Sequence, residues 1–466
     1  MTQPGTETYP LRVAIIGSGP AAFYAADHLL KQPGLVVNVD MFDRLPTPYG
    51  LVRAGVAPDH QKIKSVTKIF DHVAANPCFR FFGLVEYGKD ISLDDLEQHY
   101  HQILFATGAQ TDRRMGIPGE DLIGSHAATS FVAWYNGHPD FRDYEFDLTQ
   151  ERVAVVGVGN VAMDVARILS LTPAELAATD IADYALEALS KSRVKEVYLL
   201  GRRGPAQAAF TNPEIKELGD LAGAEVHILP EEAELDPLSK ADLEASKDRT
   251  TIKKVEIIQS YAHEKPRTKP RTLYLRFLVS PVELIGNAAG HVTALRLVKN
   301  VLYATEAGTL SPKPTDHFEE LPVGMVFRSV GYRGVALPGI PFNERWGVIL
   351  NQKGRVLDPD TQQPLTGIYT SGWIKRGPSG VIGTNKPDSV ETVACMLEDL
   401  AQGAYIHTAQ HPEDRIEQLV RTRQPHYVSY ADWKQLDAAE LSQGQVQGRP
   451  RVKYTSVAEM LKALGR

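Results

Sequence analysis

The chain has 466 residues, 43% of them hydrophobic and 23% charged, and a formal net charge of −7. That length exceeds one ordinary hydrophobic core and predicts two or three domains at roughly 150 residues each, while no apolar run approaches the ~20 residues that span a bilayer. The acidic balance disfavours nonspecific nucleic-acid binding, and two isolated cysteines, Cys78 and Cys395, exclude a disulfide framework, a cysteine metal site and a cysteine-based disulfide reductase.

In chain order, "MTQPGTETYPLR" is a short polar lead with neither a basic n-region nor an apolar h-region, read as a cytoplasmic start. "RVAIIGSGPAAFYAADHLLK" then passes from a continuous apolar run, across a glycine turn, into a helical pattern, and "VVNVDMFD" follows as a second buried strand. This is a βαβ unit. The same grammar recurs at "ERVAVVGVGNVAMDVARILSL", followed by a helical insertion and the strand "RVKEVYLLGRRG". From about Thr250 to Phe327 the pattern becomes alternating and predicts a sheet or hairpin extension; "GIYTSGWIKRGPSGVIGTN" precedes a helix-like run, and the polar tail from Gln410 has helical stretches.

In "GSGPAA", Gly17, Gly19 and Ala22 fill the GxGxxG/A positions, and Asp43 closes the next strand ~20 residues on, where a carboxylate meets ribose hydroxyls. Ala21 and Ala22 open a helix whose N–H groups face a pyrophosphate. "GVGNVA" repeats the arrangement with Gly157, Gly159 and Ala162, so two dinucleotides are expected; a purely structural βα turn is the alternative for each. The second unit ends its following strand in Arg202 and Arg203 instead of an acid. A 2′-phosphate gains two charge-assisted hydrogen bonds there, which points to NADP(H) over NAD(H), against the alternative of a solvated pair capping a strand.

Together, "GSGPAAFYAADHLLK", "LPTPYGLVRAGVAPDH", "FATGA", "GVGNVAMDVARI", "GRRGPAQAAFT" and "GWIKRGPSGVIGTN" resemble the adrenodoxin-reductase-like ferredoxin-NADP reductases, within the glutathione-reductase-like flavoproteins. The resemblance runs from about Val13 to at least Leu400 and is strongest to the bacterial NADPH-ferredoxin reductases. It implies an α/β fold of two Rossmann-like domains, one for FAD in two segments (residues 1–112 and 331–466) and one for NADP inserted between them (residues 113–330). It also implies FAD contacts at Gly17, Gly19, Ala21, Ala22, Asp43, Leu51, Val85, Trp373, Gly380, Val381 and Ile382. NADP is expected at Arg113, Val158, Gly159, Asn160, Val161, Arg202, Arg203, Glu214 and Gly380. On the residues alone, Leu51 and Val85 read equally as core, and Glu214 as a solvated helix face.

The resemblance implies hydride transfer from NADPH to FAD and then single electrons to a ferredoxin-type iron-sulfur protein, with His60 and Glu217 tuning the reaction near the nicotinamide. A helix-start histidine without a role is the alternative for His60. An acidic ferredoxin calls for a basic docking face, and "HEKPRTKPR" (263–271) is one candidate, a solvated turn being the alternative. The rival functions are a general NADPH diaphorase or quinone reductase and a non-catalytic FAD/NADP redox sensor. A reductase subunit carrying its own iron-sulfur clusters is disfavoured by the cysteine count. No nucleic-acid partner, metal or membrane insertion is expected, and the oligomeric state stays open, a monomer included.

Overall fold

A computed structural model describes residues 3–262, 268–408 and 414–466. Two compact units divide the chain. One gathers Met1–Thr111, Asn136–Asp140 and Gly331–Arg466; the other gathers Asp112–Tyr135 and Phe141–Val330.

The first unit is built on a seven-stranded sheet, in the spatial order Asn351–Gln352, Arg355–Leu357, Pro364–Thr370, Gln102–Phe105, Leu11–Ile16, Val37–Asp43, Phe79–Gly83. The last five run parallel. Parallel strands are covered on both faces, which is why "LRVAII" and "QILF" read as unbroken apolar runs and are buried almost throughout. The helix Pro20–Leu30 is buried on nearly every side, and its small residues Ala21, Ala22, Ala25 and Ala26 let the helix Asn385–Ala401 pack beside it. Phe23 stacks on Phe70 at 4.8 Å between ring centroids, fastening it to the helix Thr67–Ala74.

The second unit holds a six-stranded parallel sheet, in the order Ser125–Ala127, Met325–Arg328, Arg152–Val156, Glu196–Leu200, Arg271–Arg276, Ala224–Ile228. A three-stranded antiparallel sheet, Val279–Gly286, Val292–Ala304 and Leu310–Pro322, is the expected extension. The extension starts later than the sequence pattern predicts, because Arg249–Ser260 is a helix. Asp248 caps it through Thr250 N–H, and its only buried residues, Val255 and Ile258, stand three apart on one face. The predicted insertion after the second glycine turn forms two helices, Pro173–Ala177 and Asp183–Ser190.

The polar tail forms the helices Asp414–Arg423, Tyr430–Gln447 and Val457–Ala463 within the first unit. Asn136–Asp140 joins that unit through contacts distant in sequence: Lys453 Nζ donates to the Asn136 carbonyl at 3.2 Å, and Arg44 pairs with Asp140 at 2.6 Å. Among the described residues no helix is long and apolar enough to cross a membrane.

Candidate functional site

In the first unit the strand Leu11–Ile16 ends at Gly17, whose φ of +101° suits glycine alone, and a Cβ there would stand 2.5 Å from the Ala106 carbonyl oxygen. Gly19 is different. It is the N-cap of the helix Pro20–Leu30 in ordinary extended backbone, and a Cβ on it would meet nothing within 4 Å. The turn is thus closed on the sheet side and open on the helix side, where the first-turn N–H groups of Ala21 and Ala22 have no intrahelical partner.

Asp43, ending the strand Val37–Asp43, accepts hydrogen bonds from Ser18 N–H at 3.0 Å, Ser18 Oγ at 2.5 Å and Leu45 N–H at 2.9 Å. Burial pushes its carboxyl pKa up against these lowering hydrogen bonds. A carboxylate offers about four acceptor sites, so one remains for a hydroxyl. The neighbouring loop is held in an unusual conformation: Tyr49 sits at φ +85°, its N–H on the Ser18 carbonyl at 2.9 Å and its hydroxyl on Asp71. Trp433 Nε1 donates to the same hydroxyl at 3.3 Å. Leu51 opens the short helix Leu51–Ala54 and is half-buried. Val85 is 1% exposed, its side chain in the core beside Phe42 and Phe82 and its N–H on the Asp43 carbonyl at 2.9 Å.

The "GWIKRGPSGVIGTN" stretch also lies in this unit. Gly372 comes so near the first helix that a Cβ would stand 2.6 Å from Ala21 Cβ, and its N–H donates to Asp388 at 2.6 Å. Asp388 is in turn paired with the buried Lys375 at 3.1 Å. Trp373 follows, its Nε1 donating to the Ser379 carbonyl at 3.2 Å. Gly380, Val381 and Ile382 lead into the helix Asn385–Ala401, and Val381 is 52% exposed. His60 is the N-cap of Gln61–Lys64 in the loop before it.

The second unit repeats the turn. Gly157 has φ +131° with a Cβ position 2.3 Å from the Ser329 carbonyl oxygen, and Gly159 opens onto free space. The Val158 carbonyl accepts from Ala209 and Phe210 N–H, and Asn160 Oδ1 accepts from Thr211 N–H at 3.0 Å, tying the turn to the loop that follows the arginines. Val161 continues the helix Asn160–Ser170, half-buried. Arg202 is exposed and Arg203 half-buried just past the strand Glu196–Leu200, and neither forms an ion pair among the described residues. Burial, then the Arg202 charge, pushes the Arg203 pKa down.

Pro213 stands in the first turn of the helix Asn212–Gly219, where it defines the helix start. Glu214 is buried there, its carboxylate on Arg167 at 3.2 Å, with Asp164 at 2.7 Å and Glu217 at 3.8 Å on the same guanidinium. One guanidinium is thus shared among three carboxylates, which holds Glu214 in place. Arg113 is exposed near the start of this unit. Of the basic run 263–271, residues 263–267 lie outside the described residues. Sequence reasoning missed Ser18 and Asp388, whose contacts depend on the closed turn and on long-range packing respectively.

Two doubly wound units, each with a glycine turn feeding an open helix end, define a two-dinucleotide oxidoreductase fold, and residues 11–216 match the pyridine nucleotide-disulphide oxidoreductase family. The chain is 46% identical over 463 residues to the NADPH-ferredoxin reductase FprA of Mycobacterium tuberculosis, spanning 97% of this chain and 99% of that protein. It is 39% identical over 463 residues to the mitochondrial NADPH:adrenodoxin oxidoreductase of Arabidopsis thaliana, spanning 97% and 95%. The solved structure of Mycobacterium tuberculosis FprA in complex with NADPH matches with a TM-score of 0.92 at 45% identity, covering 98% of this chain and 100% of that one. The chain belongs to the family of NADPH-ferredoxin reductases of the FprA type.

Proposed function

We propose that the protein is an FAD-dependent oxidoreductase that takes electrons from NADPH and passes them to a ferredoxin-type iron-sulfur protein, as a ferredoxin–NADP(+) reductase. The observation that carries this reading is the contrast between the two strand ends. Asp43 offers a carboxylate to a ribose diol, whereas Arg202 and Arg203 offer two cations where a 2′-phosphate stands.

The residues of the first unit fit FAD. The open space at Gly19 accepts a pyrophosphate, the remaining acceptor of Asp43 a hydroxyl, and the glycine-rich stretch with Val381 a flat apolar ring. The second unit fits NADP(H) through Gly159, Val158, Asn160, Val161 and the arginine pair, with Glu214 held by Arg167. Bound flavin supplies the conversion between a two-electron hydride donor and a one-electron acceptor. The chain's own task is to bind, align and tune: the glycine turns admit the phosphates, and the Lys375–Asp388–Gly372 chain fixes the turn that carries Trp373. Cys78 and Cys395 are both free thiols, and Cys395 is buried with its pKa pushed up by burial, so a disulfide relay is not part of this reading.

The purified, FAD-loaded protein is expected to be bleached by NADPH and to turn over a ferredoxin. Arg202→Ala and Arg203→Ala each weaken NADPH by about 1.5–3 kcal/mol and leave NADH nearly unaffected. Equal losses for both nucleotides would refute the phosphate assignment.

A further inference from the structure

Lys254 lies on the helix Arg249–Ser260, which packs against the short turn Pro205–Gln207 directly after the arginine pair. Its ammonium donates to the Ala208 carbonyl at the end of that turn, and the side chain is half-buried. An ammonium has three donors, so two are left over. The carboxylates near this turn are otherwise engaged. Asp248 caps its helix through Thr250 N–H at 3.0 Å and Thr251 Oγ1 at 2.6 Å, and Asp236 caps the helix Pro237–Ser246 through Leu238 and Ser239 N–H.

Among the described residues, Arg202, Arg203 and Lys254 form no ion pair, although Arg203 is near enough to act on the lysine. Burial first, and then the Arg203 charge, lower the Lys254 pKa against the opposing pull of Asp248. Arg203 is repelled by Arg202 on one side and by Lys254 on the other, with only the capping carboxylate of Asp248 opposing, and a dianionic phosphate at this turn relieves that repulsion and accepts donors that no carboxylate takes.

We propose that Lys254 is a third cation of the 2′-phosphate subsite, a specificity-determining residue that acts with Arg202 and Arg203. The proposal rests on the reading of the second unit as the NADP(H) unit. Lys254 belongs to an element with no glycine motif and lies some fifty residues beyond the arginines, so the phosphate is read by two separate segments of chain.

The test uses the FAD-loaded holoenzyme with 2′,5′-ADP and 5′-AMP as competitors of NADPH, in the wild type, Lys254→Gln, Lys254→Arg and Arg203→Ala. The wild type prefers 2′,5′-ADP. Lys254→Gln weakens 2′,5′-ADP about tenfold, leaves 5′-AMP within about twofold, and Lys254→Arg recovers most of the loss. A Lys254→Gln protein that keeps the full preference, while Arg203→Ala loses it, overturns the proposal and leaves the arginine assignment standing. Equal weakening of both competitors by Lys254→Gln also overturns it, since the residue is then only structural. A wild type that binds both competitors alike sinks the arginine assignment together with the proposal.

Discussion

Gly17 and Gly19 are two residues apart and do opposite things. At Gly17 both the positive φ and the 2.5 Å approach to the Ala106 carbonyl exclude a side chain. At Gly19 nothing in the protein does. Gly17→Ala is therefore expected to lower the melting temperature of the FAD-free protein, at a cost of about 2 kcal/mol or more. Gly19→Ala leaves that temperature unchanged and weakens FAD, as flavin titration of the two variants would read. Both glycines were legible from spacing, as were Asp43 and the arginine pair, because motif spacing is local. The donors that occupy Asp43 were not: Ser18 and Leu45 reach the carboxylate only when the turn has closed.

The elements follow the same division. Strands and helices of the two βαβ units were readable because continuous burial writes continuous apolar runs. The helix Arg249–Ser260 was hidden because Val255-Glu256-Ile257 also alternates: Ile252, Val255 and Ile258 recur at helical spacing, but the short apolar set fits either period. The helix Tyr430–Gln447 carries no motif, yet Glu440 on it is fully buried, holds Arg53 at 2.8 and 2.5 Å and Arg451 at 3.0 Å, and accepts from Tyr454 N–H at 2.9 Å. Arg53 belongs to the short helix Leu51–Ala54 and also lies over the Trp433 ring at 5.1 Å. Glu440→Gln leaves two arginines with a neutral partner, and should cost about 3 kcal/mol, read as a lower urea midpoint for flavin release. Glu187→Gln, which breaks the exposed Lys191 pair, should leave the midpoint in place.

At the scale of the molecule, one buried and one half-buried histidine with lowered pKa values contribute acid sensitivity. His101 in the first unit accepts Arg12 N–H on Nδ1 at 3.0 Å, and its pKa is pushed down to about 4 by burial and then by the Arg12 and His407 charges. His126 in the second unit is likewise lowered to about 4 by burial and then by the Arg328 charge. Both folded values lie below the ordinary ~6.5, so the unfolded chain binds the protons first. The stability they contribute is complete above about pH 6.5 and is lost as the pH falls towards 4, at about 1.4 kcal/mol per pH unit for each histidine. Urea midpoints between pH 7.5 and 4.5 should show this decline, and His101→Gln should flatten it in the first unit alone. Neither histidine stood out in the sequence, because burial is a property of the assembled sheet.

The sheet of the first unit places Pro364–Thr370 directly beside Gln102–Phe105, and the Glu440 clamp closes later still. During synthesis, at ~5–20 residues per second, the strand Gln102–Phe105 waits on the order of tens of seconds for its neighbour. The intervening unit, nearly contiguous in the chain, is free to complete itself in that interval. The glycine turn and arginine pair of the second unit are thus complete in the chain well before the sheet of the first unit gains its last parallel strand, so the two units are expected to fold in the reverse of the order in which the chain begins them.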